Sequence, residues 1–321
     1  MRPKLKNMKH LFTISLLFIG LLSSFAQTDE AAVPFGSYWF NGDSYNFKVT
    51  KINQQWRGDT QSKNDTTTYN ATFTVLDSTE TSYKIRWSYD TELPVSIGIP
   101  EEVMESFSNL SAIDVIYTTS EVGAFIEIEN WKEISDKMTE MLENVMSVLA
   151  KNEEVDKKKV STALKPILSI YQTQLGIEQL VFKELQLFHF PFGVEFMVAE
   201  TLKYDDAVPN IFGGDPIKGH TQLYIDKVDF DEAYCSLIQE MQLDPIGTRN
   251  MIMDFLKRSG IKGSEMKKMM ETASIEVTDY NKYEFYYYPG VPIHIEAKRE
   301  SLIDISDKKA KRIDILIIEL L

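Results

Sequence analysis

Hydrophobic and polar residues alternate along two long stretches of this chain, one early and one late. From Ser37 to Glu129, aromatic and aliphatic residues recur at every second position, as in Tyr69–Val75. The last segment, Ile275–Leu321, alternates in the same way. A period of two is typical of antiparallel strands with one solvated face, so both stretches are predicted to be rich in β-structure.

The region between these stretches shows mostly helical spacing. Asn130 followed by Glu133 resembles a capping box, and apolar residues then recur at helical intervals as far as Val148. Asp244-Pro245 is typical of a helix start. Further helices are predicted over Pro100–Phe107, Ser161–Tyr171, Ile177–Phe188, Phe230–Gln242 and Ile246–Arg258.

The order of these elements predicts an α+β fold. We expect a curved antiparallel sheet, or two such sheets, built from the N- and C-terminal β-rich regions and packed by a mainly helical middle. The expected divisions are a β-rich region over 27–129, a helical segment over 130–190, and an α+β region over 191–321 that ends in antiparallel strands. One domain and two intimately packed halves both fit this pattern.

The first 26 residues have the features of a secretory signal peptide. Basic residues precede the apolar run Leu11–Leu22, and small residues at Ser24 and Ala26 fit a cleavage site. We therefore expect an exported protein, periplasmic, associated with the outer membrane or extracellular, with no transmembrane helix in the mature chain. The formal net charge of −14 argues against nucleic-acid partners.

Motifs for metal binding, cofactor binding and covalent catalysis are missing from the sequence. The single cysteine, Cys235, lies among apolar residues and is expected to be buried. His189, His220 and His294 are isolated from one another, so no metal site and no catalytic residue is predicted. The glycine-rich stretch Gly213–His220 lacks the order of a phosphate-binding loop, and no cofactor is expected.

Aromatic residues on the predicted strands are numerous enough to line a groove for a lipid or a glycan. The candidate groove residues are Trp87, Tyr89, Tyr286 and Tyr288. Packing in the core is the competing interpretation, because strands favour aromatic residues in any case.

The stretch Phe285–Glu300 is predicted to be a hairpin. Pro289-Gly290-Val291-Pro292 would form the turn, and His294 would lie on the polar face of the returning strand, unsuited to act as a general base.

Three segments carry a resemblance to known proteins. Gly42–Thr50, then Phe73–Trp87, and Pro289–Glu296 resemble uncharacterised secreted proteins of Gram-negative bacteria that carry a domain of unknown function. Such proteins are similar in fold to periplasmic half-barrel carriers that hold lipid or lipoprotein tails. The resemblance implies a curved sheet plugged by helices, and it defines no catalytic residue.

These observations favour a non-enzymatic secreted envelope protein that binds a lipid, peptide or partner protein in a concave apolar groove. Two other hypotheses stay open. One is an envelope hydrolase that uses carboxylates from distant segments, and the other is a structural subunit of an envelope complex.

Overall fold

The computed structural model describes residues 31–89, 114–151, 169, 172–178, 183–208, 210, 215–258, 273–305 and 308–321. The predicted signal peptide, the helix over Pro100–Phe107 and most of the helix over Ser161–Tyr171 lie outside these ranges. They stay predictions.

Thirteen strands are present in the described part of the chain. They are β1 (Ala32–Pro34), β2 (Ser44–Arg57), β3 (Thr60–Ser78), β4 (Ser82–Tyr89), β5 (Val115–Ser120), β6 (Phe125–Ile128), β7 (Glu195–Met197), β8 (Thr201–Val208), β9 (Ile217–Asp229), β10 (Tyr234–Leu243), β11 (Ser274–Tyr286), β12 (Val291–Ile305) and β13 (Lys308–Leu320). The helices are α1 (Trp131–Lys151), α2 (Gln174–Gly176), α3 (Lys183–His189) and α4 (Pro245–Arg258).

Eleven of the strands form one antiparallel sheet in the order β6-β5-β4-β3-β2-β13-β12-β11-β10-β9-β8. Every neighbouring pair except β2 and β13 is consecutive in sequence, as is usual for antiparallel strands. β2 and β13 pair along their length at the centre of the sheet, for example Val49 with Ile318. The two β-rich stretches therefore close into a single sheet, and the predicted antiparallel sheet is confirmed. β1 and β7 form a separate two-stranded sheet.

The predicted α+β class, with a mainly helical middle, is wrong. The described chain is mostly β, and its helices are minor additions to one large sheet. Phe230–Gln242 shows the reason for one error, because it was predicted as a helix and contains β10 instead. Its apolar residues Cys235 and Leu237 face the core two residues apart, and Ile238 is buried as well, which mimics helical spacing.

Two local predictions are confirmed. Asp244 caps α4 by accepting a hydrogen bond of 2.6 Å from the Gly247 backbone N–H. The predicted hairpin of β11 and β12 is present, with Tyr286 paired to Val291, but its turn spans 287–290, and Val291 and Pro292 lie in β12 and not in the turn. Gly290 has φ +90°, and a Cβ there would collide with the Gly36 carbonyl oxygen, so only glycine fits this turn.

One face of the sheet, called the core face here, carries the main apolar cluster. Core-face residues nearest the Gly290 turn come from both halves of the sheet, including Phe47, Phe73, Tyr283 and Ile318, and all are buried. The opposite face, called the outer face, carries mainly polar side chains. Strands from both halves therefore contribute to one continuous core.

Helix α3 fills the apolar part of the core face. The Phe188 ring packs against Phe47 at 5.3 Å, stacks on Phe73 at 5.3 Å, and meets Trp87 at 5.6 Å between ring centroids. Just beyond the helix, Phe190 stacks on Tyr283 with centroids 5.1 Å apart. Edge-on and offset contacts of this kind stabilise a core beyond simple area burial.

Candidate functional site

The four aromatic residues proposed for a groove lie in two different environments. Trp87 and Tyr89 are buried on the core face, where Trp87 packs against Phe188. Tyr286 and Tyr288 lie at the Gly290 turn and are 40% and 62% exposed. Within the described residues, no hydrogen bond or ring contact joins the two pairs, and a role in ligand binding stays a prediction for all four.

Farther from the Gly290 turn, the core face changes from apolar to charged. We call this region the charged layer, and it consists of Lys183, Asp279, Arg299, Arg312 and Asp314. The Arg299 guanidinium donates two hydrogen bonds of 2.6 Å to the carboxylate of Asp279. Bidentate pairs of this kind fix the orientation of both side chains.

Asp314 of β13 is held by a second guanidinium. Arg312 donates hydrogen bonds of 2.7 and 2.9 Å to its two carboxylate oxygens, and the Asn53 amide donates to the same group. Each carboxylate of the charged layer is therefore engaged by a cation, an arrangement that suits an ion pair better than a general acid.

Lys183 is the cation of the charged layer that a helix contributes. It begins α3, which packs against β12, and its side chain is exposed to solvent. Desolvation by the surrounding protein nevertheless lowers the pKa of Lys183, and the positive charge of Arg299 lowers it further, while Asp279 and Asp314 oppose the change. Lys183 is thus close enough to the ion pairs of the charged layer for their charges to shift its pKa.

Apolar residues border the charged layer on both sides of the core face. Toward the Gly290 turn lie Tyr283 and Ala297 of the main core. Toward the other end lies a second cluster in which Ala273 and Ile275 are buried. The partly buried residues packed on this second cluster are Ile252, Met253, Val277, Ile303 and Ile305. The charged layer is thus a polar band between two apolar surfaces.

The residue after Lys183 anchors this start of α3 in the core. Glu184 is fully buried and accepts hydrogen bonds from the hydroxyls of Tyr69 at 3.2 Å and Tyr89 at 2.9 Å. The Lys51 ammonium lies 3.5 Å from its other carboxylate oxygen. Burial, together with the charge of Glu184, raises the pKa of both tyrosines, so they remain protonated donors.

The three histidines do not form a catalytic pair with one another. His189 is buried, its Nδ1 faces the Gly123 carbonyl oxygen at 2.8 Å and its Nε2 faces the Tyr117 hydroxyl at 2.9 Å. Burial lowers the pKa of His189 to about 3, so the ring is neutral and has a structural role. His294 lies on the outer face, 3.8 Å from the Glu319 carboxylate, which confirms its predicted polar position.

The outer face contains a cavity. This cavity, called the outer groove, has a volume of about 740 Å³ and crosses β8 to β12. Most of its lining residues are charged or polar, and it is open to solvent, whereas pockets for drug-sized ligands are lined mainly by hydrophobic residues.

Sequence reasoning missed the charged layer. The signal for it was the strand period itself, because Asp279 and Arg299 stand at core-facing positions of β11 and β12, in phase with Tyr283 and Ala297. A charged residue in the apolar phase of a strand is rare unless it is paired. Lys183 and Glu184 gave no comparable signal.

Within the described ranges, no group of three or more histidine, cysteine, aspartate or glutamate side chains is placed to hold a metal ion. None of the helices in these ranges combines the length and apolar character of a membrane span.

No protein-family model matches the chain, and no curated protein does either. The resemblance to a family of secreted proteins therefore receives no support from a family match. Among solved structures, the fold is similar to one named "Lipid-protein interactions in lipovitellin", with a TM-score of 0.42 and 9% identity over 88% of this chain. The chain spans 25% of that protein's length. With a TM-score below 0.5, the similarity carries no argument about function.

Proposed function

We propose that this chain is an exported, non-enzymatic binding protein that holds an anionic amphiphile, such as a fatty acid or a lipid phosphate, on its core face. The supporting observation is Lys183, a solvent-exposed and partly desolvated ammonium in a charged layer that two apolar surfaces border.

The charges of the layer favour a ligand with an anionic group. Arg299 and Arg312 are already engaged by Asp279 and Asp314 through bidentate pairs. Lys183 is held less rigidly, because among the described residues it forms no hydrogen bond with Asp279 or Asp314, although the charges of both carboxylates act on it. A ligand carboxylate or phosphate that pairs with Lys183 gains a charge-assisted bond in a partly desolvated site.

The apolar portion of the ligand is assigned to the second cluster. Val277, Ile303 and Ile305 are only partly buried there, so a hydrocarbon chain laid over them removes apolar surface from water. The main apolar core is a poorer host, because Phe188 and the rings around it already fill it. The proposed binding site for the amphiphile on the core face is thus expected to lie farther from the Gly290 turn than Trp87 and Tyr89 do.

The test uses a fluorescent fatty acid, dansylaminoundecanoic acid, displaced by palmitate, by dodecyl phosphate and by uncharged dodecanol. We expect palmitate and dodecyl phosphate to displace the probe well and dodecanol poorly. Lys183→Gln is expected to weaken palmitate binding about tenfold, because one charge-assisted bond is lost. Lys183→Arg keeps the positive charge and is expected to retain most of the affinity.

Lys203→Gln is the matched control, because Lys203 is an exposed lysine on the outer face and is expected to leave palmitate binding unchanged. Equal binding by the Lys183→Gln protein and the original chain contradicts the proposal. So does a probe that fails to bind at all.

A further inference from the structure

The outer groove is lined by rows of polar side chains that have no part in the binding site proposed for the core face. Strand register places five side chains in one row across β8, β9, β10, β11 and β12. This first row is Lys203, Gln222, Glu240, Tyr280 and Lys298. Each residue pairs with the next across neighbouring strands, so the row is straight, and consecutive side chains are about 4.8 Å apart.

A second row runs beside the first, two residues farther along each strand. It consists of Asp205, His220, Gln242, Thr278 and Glu300. Both rows line the cavity of about 740 Å³. The groove is therefore a ladder of polar groups with the spacing of the strands.

Both rows contain side chains that donate hydrogen bonds and side chains that accept them. In the first row, the Gln222 amide lies between the Lys203 ammonium and the Glu240 carboxylate, and it donates to Glu240. In the second row, His220 Nδ1 lies 2.7 Å from a carboxylate oxygen of Asp205. Amide, hydroxyl and imidazole groups both donate and accept, so the rows suit a ligand whose own groups do both.

The charges of the groove nearly cancel. Lys203 and Lys298 carry positive charge, and Asp205, Glu240, Glu300 and Asp279 carry negative charge, with Asp279 already paired to Arg299. A polyanion would meet the carboxylates, and a strongly basic peptide would meet the lysines, so neither is favoured. The balance instead favours a neutral ligand.

Tyrosine rings provide an apolar surface on this mostly polar face. Tyr280 stands at a central strand of the groove and is 40% exposed. Tyr224, on the same face of β9, lies close enough for the charges of Glu240 and Tyr280 to raise its pKa, after the larger effect of desolvation. An exposed phenol ring offers a flat apolar face together with a polar hydroxyl.

We infer that the outer groove binds a neutral oligosaccharide. Sugar hydroxyls donate and accept at once, as the two rows require, and the C–H face of a pyranose ring packs on Tyr280. A linear chain of linked pyranoses presents such groups repeatedly, as the ladder does. The two rows stand in the strand phase opposite to the charged layer, and the inference does not depend on the amphiphile proposal.

The test is isothermal titration calorimetry of the full chain with cellohexaose, laminarihexaose, maltohexaose, mannohexaose and chitohexaose, and with heparin and polylysine as charged probes. At least one hexaose is expected to bind, with little dependence on salt, because no net charge is neutralised. Tyr280→Ala is expected to weaken that binding at least about fivefold. Gln242→Ala, at an exposed position of the second row, is expected to weaken it as well.

Tyr288→Ala is the matched control, because Tyr288 is an exposed tyrosine at the Gly290 turn and does not line the groove. It is expected to bind the hexaose as the original chain does. The inference is overturned if no hexaose binds, if only heparin or polylysine binds, or if neither Tyr280→Ala nor Gln242→Ala changes the affinity. Lys183→Gln is expected to leave hexaose binding intact, which separates this result from the amphiphile test.

Discussion

Replacing Phe188 with alanine tests the packing that carries Lys183 to the charged layer. Phe188 is 1% exposed, and its ring packs against those of Phe47, Phe73 and Trp87. These partners belong to β2, β3 and β4, so the substitution opens a cavity where α3 meets the first half of the sheet.

The expected cost follows from this burial. Removing a fully buried phenylalanine ring lowers the free energy of unfolding by about 3–5 kcal/mol, and rigid aromatic neighbours favour the upper end of that range because they close the cavity poorly. For the 290 residues of Ala32–Leu321, the entropy of unfolding is about 0.6 kcal/mol per kelvin. The melting temperature is therefore expected to fall by about 5–8 °C.

The assay is urea denaturation followed by tryptophan fluorescence, which reports on Trp87 beside the new cavity. Phe40→Ala is the control, because Phe40 is 74% exposed and its loss is expected to change the unfolding free energy by less than about 0.5 kcal/mol. A cost for Phe188→Ala below about 1 kcal/mol refutes the assignment of α3 to the core.

Three more predictions follow from the described contacts. Arg299→Met leaves the Asp279 carboxylate without its cation and is expected to cost about 2 kcal/mol, given partial exposure of Arg299; in a double-mutant cycle with Asp279→Asn, strictly additive costs would contradict the pairing. Burial lowers the pKa of His189 from 6.5 to about 3 in the folded protein. Below about pH 6.5 the unfolded state therefore binds a proton that the folded state does not, and stability is lost as the pH falls. Between about pH 7 and pH 5, the unfolding free energy of the original chain is expected to fall by about 2 kcal/mol more than that of the His189→Gln variant. Identical pH profiles for the two proteins would count against this reasoning. Burial raises the pKa of the Cys235 thiol to about 12, so Ellman's reagent is expected to modify it only after unfolding, and rapid reaction in the folded protein would show the thiol to be accessible.

The strands of the two alternating stretches could largely be predicted from the sequence, because most of them have one solvated face and hence a clear period of two. The segment Tyr69–Val75 lies in β3, and Ile313–Leu320 lies in β13 with its two faces divided as the alternation indicated. The pairing of β2 with β13 had no local signal, because it joins residues far apart in sequence whose patterns fit several partners.

The fold class was wrong for a physical reason that β10 illustrates. Ile238 is buried although it lies on the outer face, and Cys235 and Leu237 are buried on the core face. Burial on both faces removes the alternation that identifies a strand, and the apolar residues that remain fit a helical period equally well.

The charged layer was predictable only in part. Asp279 and Arg299 stand opposite each other in register, which a correct pairing of β11 with β12 would have revealed. Lys183 reaches the layer through the packing of α3, and that position depends on tertiary contacts such as those of Phe188 and Glu184.

The most direct test of the central claim is equilibrium dialysis of radiolabelled palmitate against the full chain and its Lys183→Gln variant at neutral pH. The amphiphile proposal predicts a single saturable site in the original chain and an affinity about tenfold lower in the variant, with Lys203→Gln unchanged. Palmitate binding of equal strength in all three proteins, or no saturable binding in any, would contradict it.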